Sequence, residues 1–178
     1  MAFILCDVIP SDALCLAHIV VSANEHAFRG LVPDQCLEFS EAESSANWQR
    51  TLSKGLPSDD FMLVAETPTD ECVGYVWAGP NTKDRVFQAE LKQINVLPEY
   101  QQQGLGRRLI SDAAQRLLKK GLQSMRIEVL RVNPNRAFYE RLGGQFVSEH
   151  PYDWDGVALS ECVYGWHDIR VLLINQPD

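Results

Sequence analysis

Residues 94–110 do most to limit what this chain can fold into. Ile94-Asn95-Val96-Leu97 reads as the end of an apolar strand and Pro98-Glu99-Tyr100 as a turn. Gln101-Gln102-Gln103-Gly104-Leu105-Gly106 reads as an elbow, and Arg107-Arg108-Leu109-Ile110 as the first turns of a helix. A strand feeding a helix through a Gly-x-Gly elbow makes an anion site from backbone. Glycine lets the chain come close to a ligand, and the first N–H groups of the helix have no carbonyl partner within it. The expected ligand is a phosphate or pyrophosphate. Leu105, Leu109, Ile110, Ala113, Leu117 and Leu118 recur at helical spacing. Lys119, Lys120 and Gly121 close a helix over 104–121. Arg107 and Arg108 lie where the helix dipole favours acids, a penalty of about 0.3–1 kcal/mol each at exposed sites. A bound polyphosphate reverses that penalty; without one, arginine is simply a good helix former that the position tolerates.

Two phosphate motifs fit poorly. A P-loop needs Gly-Lys-Ser/Thr, and here the glycines precede Arg107-Arg108. A dinucleotide fingerprint needs a third glycine at 109, which is Leu109, and Glu128 falls inside the run 125–130 rather than at its end.

A third reading is a family resemblance. Gln101-Gln102-Gln103-Gly104-Leu105-Gly106 resembles the Gln/Arg-x-x-Gly-x-Gly/Ala signature of the GNAT (Gcn5-related N-acetyltransferase) superfamily, and Val96-Leu97-Pro98-Glu99-Tyr100 resembles its lead-in. Downstream, Asn133-Pro134-Asn135-Arg136-Ala137-Phe138-Tyr139-Glu140-Arg141-Leu142-Gly143-Gly144 is similar to the family's Asn…(Phe/Leu)-Tyr-Glu-x-Leu-Gly-Phe segment. The close match spans residues 86–148. Two departures stand out. Gly144 occupies the usual Phe position, with an aromatic only at Phe146, and Asn133 precedes Tyr139 by one residue fewer than in many members.

Composition agrees with one cytoplasmic enzyme domain over residues 1–178. A chain of 178 residues, 46% hydrophobic, can bury a sizeable core. No run approaches the ~18 apolar residues of a membrane span, and the first residues lack a basic n-region. Five cysteines without a C-x-x-C pair argue against a disulfide framework and a cysteine metal site. A net charge of −8 with no basic tract makes nucleic acid an unexpected partner; a homodimer is left open.

The elements read as strand 3–9, a helix from Ser11-Asp12, a helical region 34–54, strands 61–66, 72–78 and 86–97, helix 104–121, strand 125–131, a helix near 135–142, and strands 146–152 and 157–166. This order, β-α-α-β-β-β-α-β-α-β-β, is the GNAT order. It implies an α/β (α+β) GNAT acyl-CoA N-acyltransferase fold, a mixed central sheet of about seven strands flanked by about four helices. Strands 86–97 and 125–131 should run parallel around the crossover helix. Leu91, Ile94 and Val96 are spaced by three and then two, so one face holds all three only with a bulge near Lys92-Gln93. Without a bulge, Leu91 faces the other side of a sheet covered on both faces. In the family such a splayed strand receives the peptide-like pantetheine arm, which implies backbone contacts from Ile94 and Val96.

The resemblance implies transfer of an acetyl group from acetyl-CoA, with no metal, to a primary amine of a small molecule or peptide. The implied cofactor contacts are Ile94, Val96, Gln101, Gln102, Gln103, Gly104, Leu105, Gly106, Arg107, Asn133 and Phe138. The reaction needs a path for the amine's proton and a donor for the leaving thiolate. Tyr139 matches the family's tyrosine, and an unperturbed phenol is protonated at neutral pH; read as a packing helix, Phe138 is the better core residue. Glu90, six residues before Val96, resembles the glutamate base of histone-acetylating members. Its rivals are the histidines His18, His26, His150 and His167, with His26, ahead of the 31–39 segment that borders the acceptor in the family, or a water chain as the next candidate. Trp166 belongs in the core or beside the acceptor. A non-catalytic acyl-CoA sensor and a transferase of larger acyl groups are the alternatives.

Overall fold

The computed structural model describes residues 3–57 and 59–174. One seven-stranded sheet runs through it: β1 (Ile4–Asp7), β2 (Phe61–Glu66), β3 (Cys72–Pro80), β4 (Ala89–Val96), β5 (Met125–Leu130), β6 (Gln145–Trp154) and β7 (Val157–Trp166), in the order β1-β2-β3-β4-β5-β7-β6. Every pairing is antiparallel except β4 with β5, which is parallel as expected. The helices are α1 (Ala13–Phe28), α2 (Glu41–Lys54), α3 (Leu105–Lys119) and α4 (Arg136–Arg141).

Strand alternation sorts the helices onto two faces. Tyr75 on β3 meets Trp48 of α2 with ring centroids 5.7 Å apart, whereas a Cβ on its neighbour Gly74 would lie 3.4 Å from Leu109 of α3. Successive residues of a strand point to opposite faces, so α2 and α3 cover opposite sides. Helix α1 packs on α2 and α4 lies with α3, where Phe138 closes on Gly106. Apolar residues of α1, α2, α3 and the central strands form one core.

The 104–121 helix ends as its sequence foretells. Gly121, at φ +80°, lets its own N–H and that of Leu122 donate to the carbonyls of Leu118 and Leu117 at 2.9 and 3.0 Å. Other boundaries needed correction. The 34–54 region is two pieces: a 3-10 turn, Asp34–Leu37, and α2. Ser40 divides them, accepting from the Glu43 N–H while its own N–H donates to Glu43 at 3.0 Å. Asp12 precedes α1 but caps nothing in it; its carboxylate accepts from the Ile9 N–H at 2.8 Å instead. Strand 86–97 begins at Ala89, because Asp84 gathers the N–H groups of Val86 and Phe87 into a turn.

The bulge lies where the apolar spacing put it. Trp77 pairs with Gln93 and Ala78 with Leu91, which leaves Lys92 without an opposite residue. Leu91, Ile94 and Val96 thereby share the face packed by α3. One cysteine expectation fails: Cys15 of α1 and Cys72 of β3 form a disulfide, with Cα atoms 6.2 Å apart, across 57 residues of chain. Spacing in the sequence holds no sign that a helix start and a strand start adjoin.

Candidate active site

The elbow is held open by its own side chains. The Gln101 amide donates to the Val96 carbonyl at 3.0 Å, and the Gln103 amide to the Glu99 carbonyl at 2.8 Å. Gln102 and Gly104 both take positive φ, 57° and 84°. Left-handed residues beside a helix start turn successive N–H groups toward one point, an anion-binding concavity. A Cβ on Gly104 would meet nothing within 4 Å, so the space over this backbone is open. The two arginines part company. Arg108 pairs with Asp112 at 2.9 Å along the helix, while Arg107 is exposed and lines the cavity above the elbow together with Arg141 of α4.

From the elbow the cavity enters a gap in the sheet. Strand β5 pairs with β4 only at Ala89↔Met125 and Glu90↔Arg126. Beyond them the strands diverge, and the edge of β4 facing β5 keeps backbone groups without a strand partner. Ile94 and Val96 border the gap from one side, Ile127 and Val129 from the other. The extra residue at Lys92 bends β4 where this wedge opens.

Tyr139 stands at the inner end, 7% exposed, stacked on Tyr164 at 6.3 Å and edge-on to Phe138 and Trp166 at 5.2 and 6.5 Å. Burial pushes its hydroxyl pKa up, with no charged neighbour contributing, so the phenol stays protonated at neutral pH. This reverses the packing expectation: Tyr139 is the buried residue and Phe138 the partly exposed one. Gly144 is explained here too. A Cβ there would lie 2.8 Å from the Trp166 ring and 2.9 Å from the Tyr139 carbonyl. Trp166 fills the place that an aromatic at 144 would take, while Phe146 is 58% exposed.

The cavity continues through the sheet to the face of α1, where Asn24, Phe28, Lys92, Tyr152, Trp154 and Glu161 line it. Its volume is about 510 Å³, within the ~300–1,000 Å³ of small-molecule sites. Gln93 and Asn95 also line this side, both hydrogen-bonded to the Tyr75 hydroxyl at 2.9 Å.

Most of the expected contacts gather on this one cavity: Tyr139 with Ile94, Val96, Gln101, Gln102, Gly104, Gly106, Arg107, Asn133 and Phe138. Three do not reach its wall. The Leu105 side chain is in the core at 1% exposure, and Gln103 turns back to Glu99. Glu90 is 5% exposed, and its carboxylate takes Lys83 Nζ at 2.8 Å, which sets it behind the cavity rather than in it. Asn133 accepts from the Asn135 N–H at 2.8 Å, shaping the turn before α4. His26 is absent from the lining, although its neighbours Ala23, Asn24 and Ala27 are present. What the sequence reading missed comes chiefly from β5, β6 and β7. Glu161, which no motif pointed to, joins Glu128 and His150, weighed above only as a ribose contact and as a rival base, and the three bring one ligating atom each within 4.8 Å of one another. Three residues on three strands leave no spacing signal. Lys83 and Arg126 already hold the Glu128 carboxylate, which disfavours a metal cation there.

Known proteins resemble this chain along most of its length. A model of the acetyltransferase (GNAT) family matches residues 26–144. YuaI, an uncharacterized N-acetyltransferase of Bacillus subtilis, is 28% identical, over 90% of this chain and 91% of that one. The thialysine N-ε-acetyltransferase of Bos taurus is 30% identical, over 70% of this chain and 85% of that one. The PaiA N-acetyltransferase of Thermoplasma acidophilum, solved in complex with coenzyme A, superposes with a TM-score of 0.67 at 20% identity, over 91% of this chain and 98% of that one. With the glycine elbow, the splayed strands and these matches in place, the chain belongs to the GNAT family of acetyltransferases.

Proposed function

We propose that this acetyl-CoA-dependent N-acetyltransferase acts, as a single catalytic domain, on a primary amine of a small molecule or peptide. The observation that carries the reading is one cavity that joins the glycine elbow, the β4–β5 gap and Tyr139. The amides of 104–107 and the Arg107 and Arg141 guanidiniums take the pyrophosphate. The pantetheine arm pairs with the free edge of β4 near Ile94 and Val96, which points the thioester at Tyr139. The Tyr139 hydroxyl donates its proton to the leaving thiolate. Glu90, with Lys83 and Glu128, supports the charge of the acceptor side from behind. A relative named for the ε-nitrogen of thialysine supports an amine acceptor.

No helix among the described residues is long and apolar enough to cross a membrane. We place the activity in the cytoplasm; the thiols of Cys6, Cys36 and Cys162 fit that setting, and the Cys15–Cys72 disulfide is the feature that does not. The test is purified protein with acetyl-CoA and a panel of primary amines, read by thiol release. Amine-dependent thiol release is the expected result. Coenzyme A binding with no amine-dependent release across the panel would identify a non-catalytic sensor instead.

A further inference from the structure

The two carboxylates on the acceptor side of the cavity are not equivalent. Glu128 is held by Lys83, by the Arg126 guanidinium and by His150 Nε2 at 3.2 Å. Glu161 is half-buried in the cavity wall and makes no side-chain hydrogen bond or ion pair with a described residue. Strand register fixes where it points. Along β6 and β7, Trp154 lies opposite Val157, Tyr152 opposite Leu159 and His150 opposite Glu161. On the other flank of β7, Leu130 lies opposite Glu161, and Leu130 packs with Phe28 of α1. Opposed and alternate residues share a face, so Glu161, Tyr152 and Trp154 project toward α1. Tyr164, three residues on, points to the other face and stacks on Tyr139. Three residues of strand span about 10 Å, so Glu161 and Tyr139 address one cavity from opposite sides of the sheet, a small molecule's length apart.

The charges around Glu161 favour one kind of occupant. Asp84, Glu90, Glu128 and Glu161 stand against the permanent cations Lys83 and Arg126. The remaining cation on this wall, Lys92, is held by Asp60 at 2.6 Å. A neutral or anionic acceptor would desolvate Glu161 without a partner, whereas a cation satisfies it. Phe28 and Trp154, edge-on at 5.8 Å, and Tyr152 supply aromatic wall beside the carboxylate, which suits a hydrocarbon chain ending in an ammonium.

Resting on the acetyltransferase reading above, we propose that the acceptor is a primary alkylammonium ion whose chain lies along Phe28, Tyr152 and Trp154, and that Glu161 receives the ammonium and takes its proton. An alkyl amine resembles lysine, with a pKa near 10.4, and arrives charged at pH 7. One proton passes from R–NH3+ to the Glu161 carboxylate, directly or through one water, leaving R–NH2. The nitrogen lone pair then forms the N–C bond to the thioester carbonyl and the C–S bond breaks. Sulfur keeps that electron pair and gains the Tyr139 proton. The nitrogen's second proton leaves to water, which restores Tyr139, and Glu161 returns its proton to solvent. Acetylamide, free thiol and one proton balance the amine cation and the thioester. Burial, and then the Glu128 charge, raise the Glu161 pKa, while His150, Lys83 and Arg126 oppose the rise. A raised carboxyl lies nearer the working pH of a base.

The probe is n-pentylamine, with 1-pentanol as its uncharged match and aniline as an amine already neutral at pH 7. Calorimetry on the coenzyme A complex reads binding without turnover, and thiol release from acetyl-CoA reads transfer. Glu161→Gln should cut pentylamine affinity about tenfold or more and kcat/KM about 10²-fold or more. It should also remove the acidic limb of the kcat/KM pH profile, hurt aniline far less, leave coenzyme A affinity unchanged and be partly rescued by Glu161→Asp. Pentylamine binding, turnover and pH profile all unchanged in a folded Glu161→Gln would overturn the proposal while leaving the acetyltransferase reading intact. Pentanol bound as tightly as pentylamine would also overturn it. Pentylamine held through Glu161 with no acetyl transfer to any amine would keep the cation site and overturn the acetyltransferase reading.

Discussion

The two ends of the cavity are built from different material. At the elbow the groups proposed to meet the ligand are backbone amides of consecutive residues, beside the positive φ of Gln102 and Gly104. At the acceptor end they are side chains drawn from α1, β4, β5, β6 and β7, from Asn24 to Glu161. The charges differ as well: Arg107 and Arg141 flank the first end and Glu161 the second. An amide is the same on every residue, so glycine positions alone can specify a backbone site. A side-chain site depends on which strand lies beside which, and on register to the residue.

Tyr139 sits where the two ends meet, and its removal should have the largest effect. Tyr139→Phe keeps the stacking on Tyr164 and the edge contacts to Phe138 and Trp166. It should lower kcat by about 10²–10⁴-fold and leave acetyl-CoA affinity nearly unchanged. Steady-state kinetics with calorimetry separate the two. An equal loss in both would make Tyr139 part of the cofactor end rather than the junction.

Gly104→Val addresses the backbone end alone. At φ +84° a β-branched residue is strained, by about 1–3 kcal/mol, and its side chain enters the open space above the amides. Coenzyme A affinity should fall by about 10²-fold, which corresponds to about 2.7 kcal/mol, with circular dichroism confirming the fold. Unchanged affinity in a folded variant would mean that the elbow amides do not hold the anion.

The smallest effect tests the side-chain end without any ligand. The Glu161 pKa lies above its ordinary value of 4.5 in the folded protein, so the folded state binds this proton more tightly than the unfolded chain. Stability from this group therefore falls as pH rises from 4.5 through the raised folded value, and stays low above it. Glutamine never ionises. Glu161→Gln should melt slightly above the wild type at pH 7–8, and the difference should close toward pH 4.5. A variant less stable than the wild type at pH 7 would show that Glu161 is tied into the fold rather than held ready for a ligand.

Much of this architecture was legible because its causes are local. The Leu91, Ile94, Val96 spacing raised a bulge near Lys92 as one of two readings, since a pleated strand needs one to put all three on one face; the register of β3 on β4 decided between them. The parallel pair around α3 followed from strand–helix–strand order. The division of 34–54 was also local and was overlooked: Ser40 followed three residues later by Glu43 is a capping-box signature. Glu90 illustrates the opposite case. Its place six residues before Val96 resembles a catalytic position of the family, but Lys83, from the loop before β4, takes its carboxylate, and the residue does not line the cavity. A side chain's ion partner is not encoded in its spacing from a motif. The same holds for Cys15–Cys72, and for Gly144, whose small size is dictated by Trp166 at the far end of β7.

By itself the sequence determined the periodicities, the breaks and the elbow, and with them the element order and one end of the cavity. These depend on backbone geometry and on near neighbours, which a linear chain displays. Only the tertiary structure decided which carboxylate would be left unpaired. Glu90, Glu128 and Glu161 are chemically alike, and their difference arises from the neighbours each meets. Lys83 reaches Glu90 and Glu128, Arg126 takes Glu128, and Glu161 on β7 lines the cavity wall bonded to neither cation. Charge and solvation act through space, so the identity of a reactive group is settled only when the strands have taken their places.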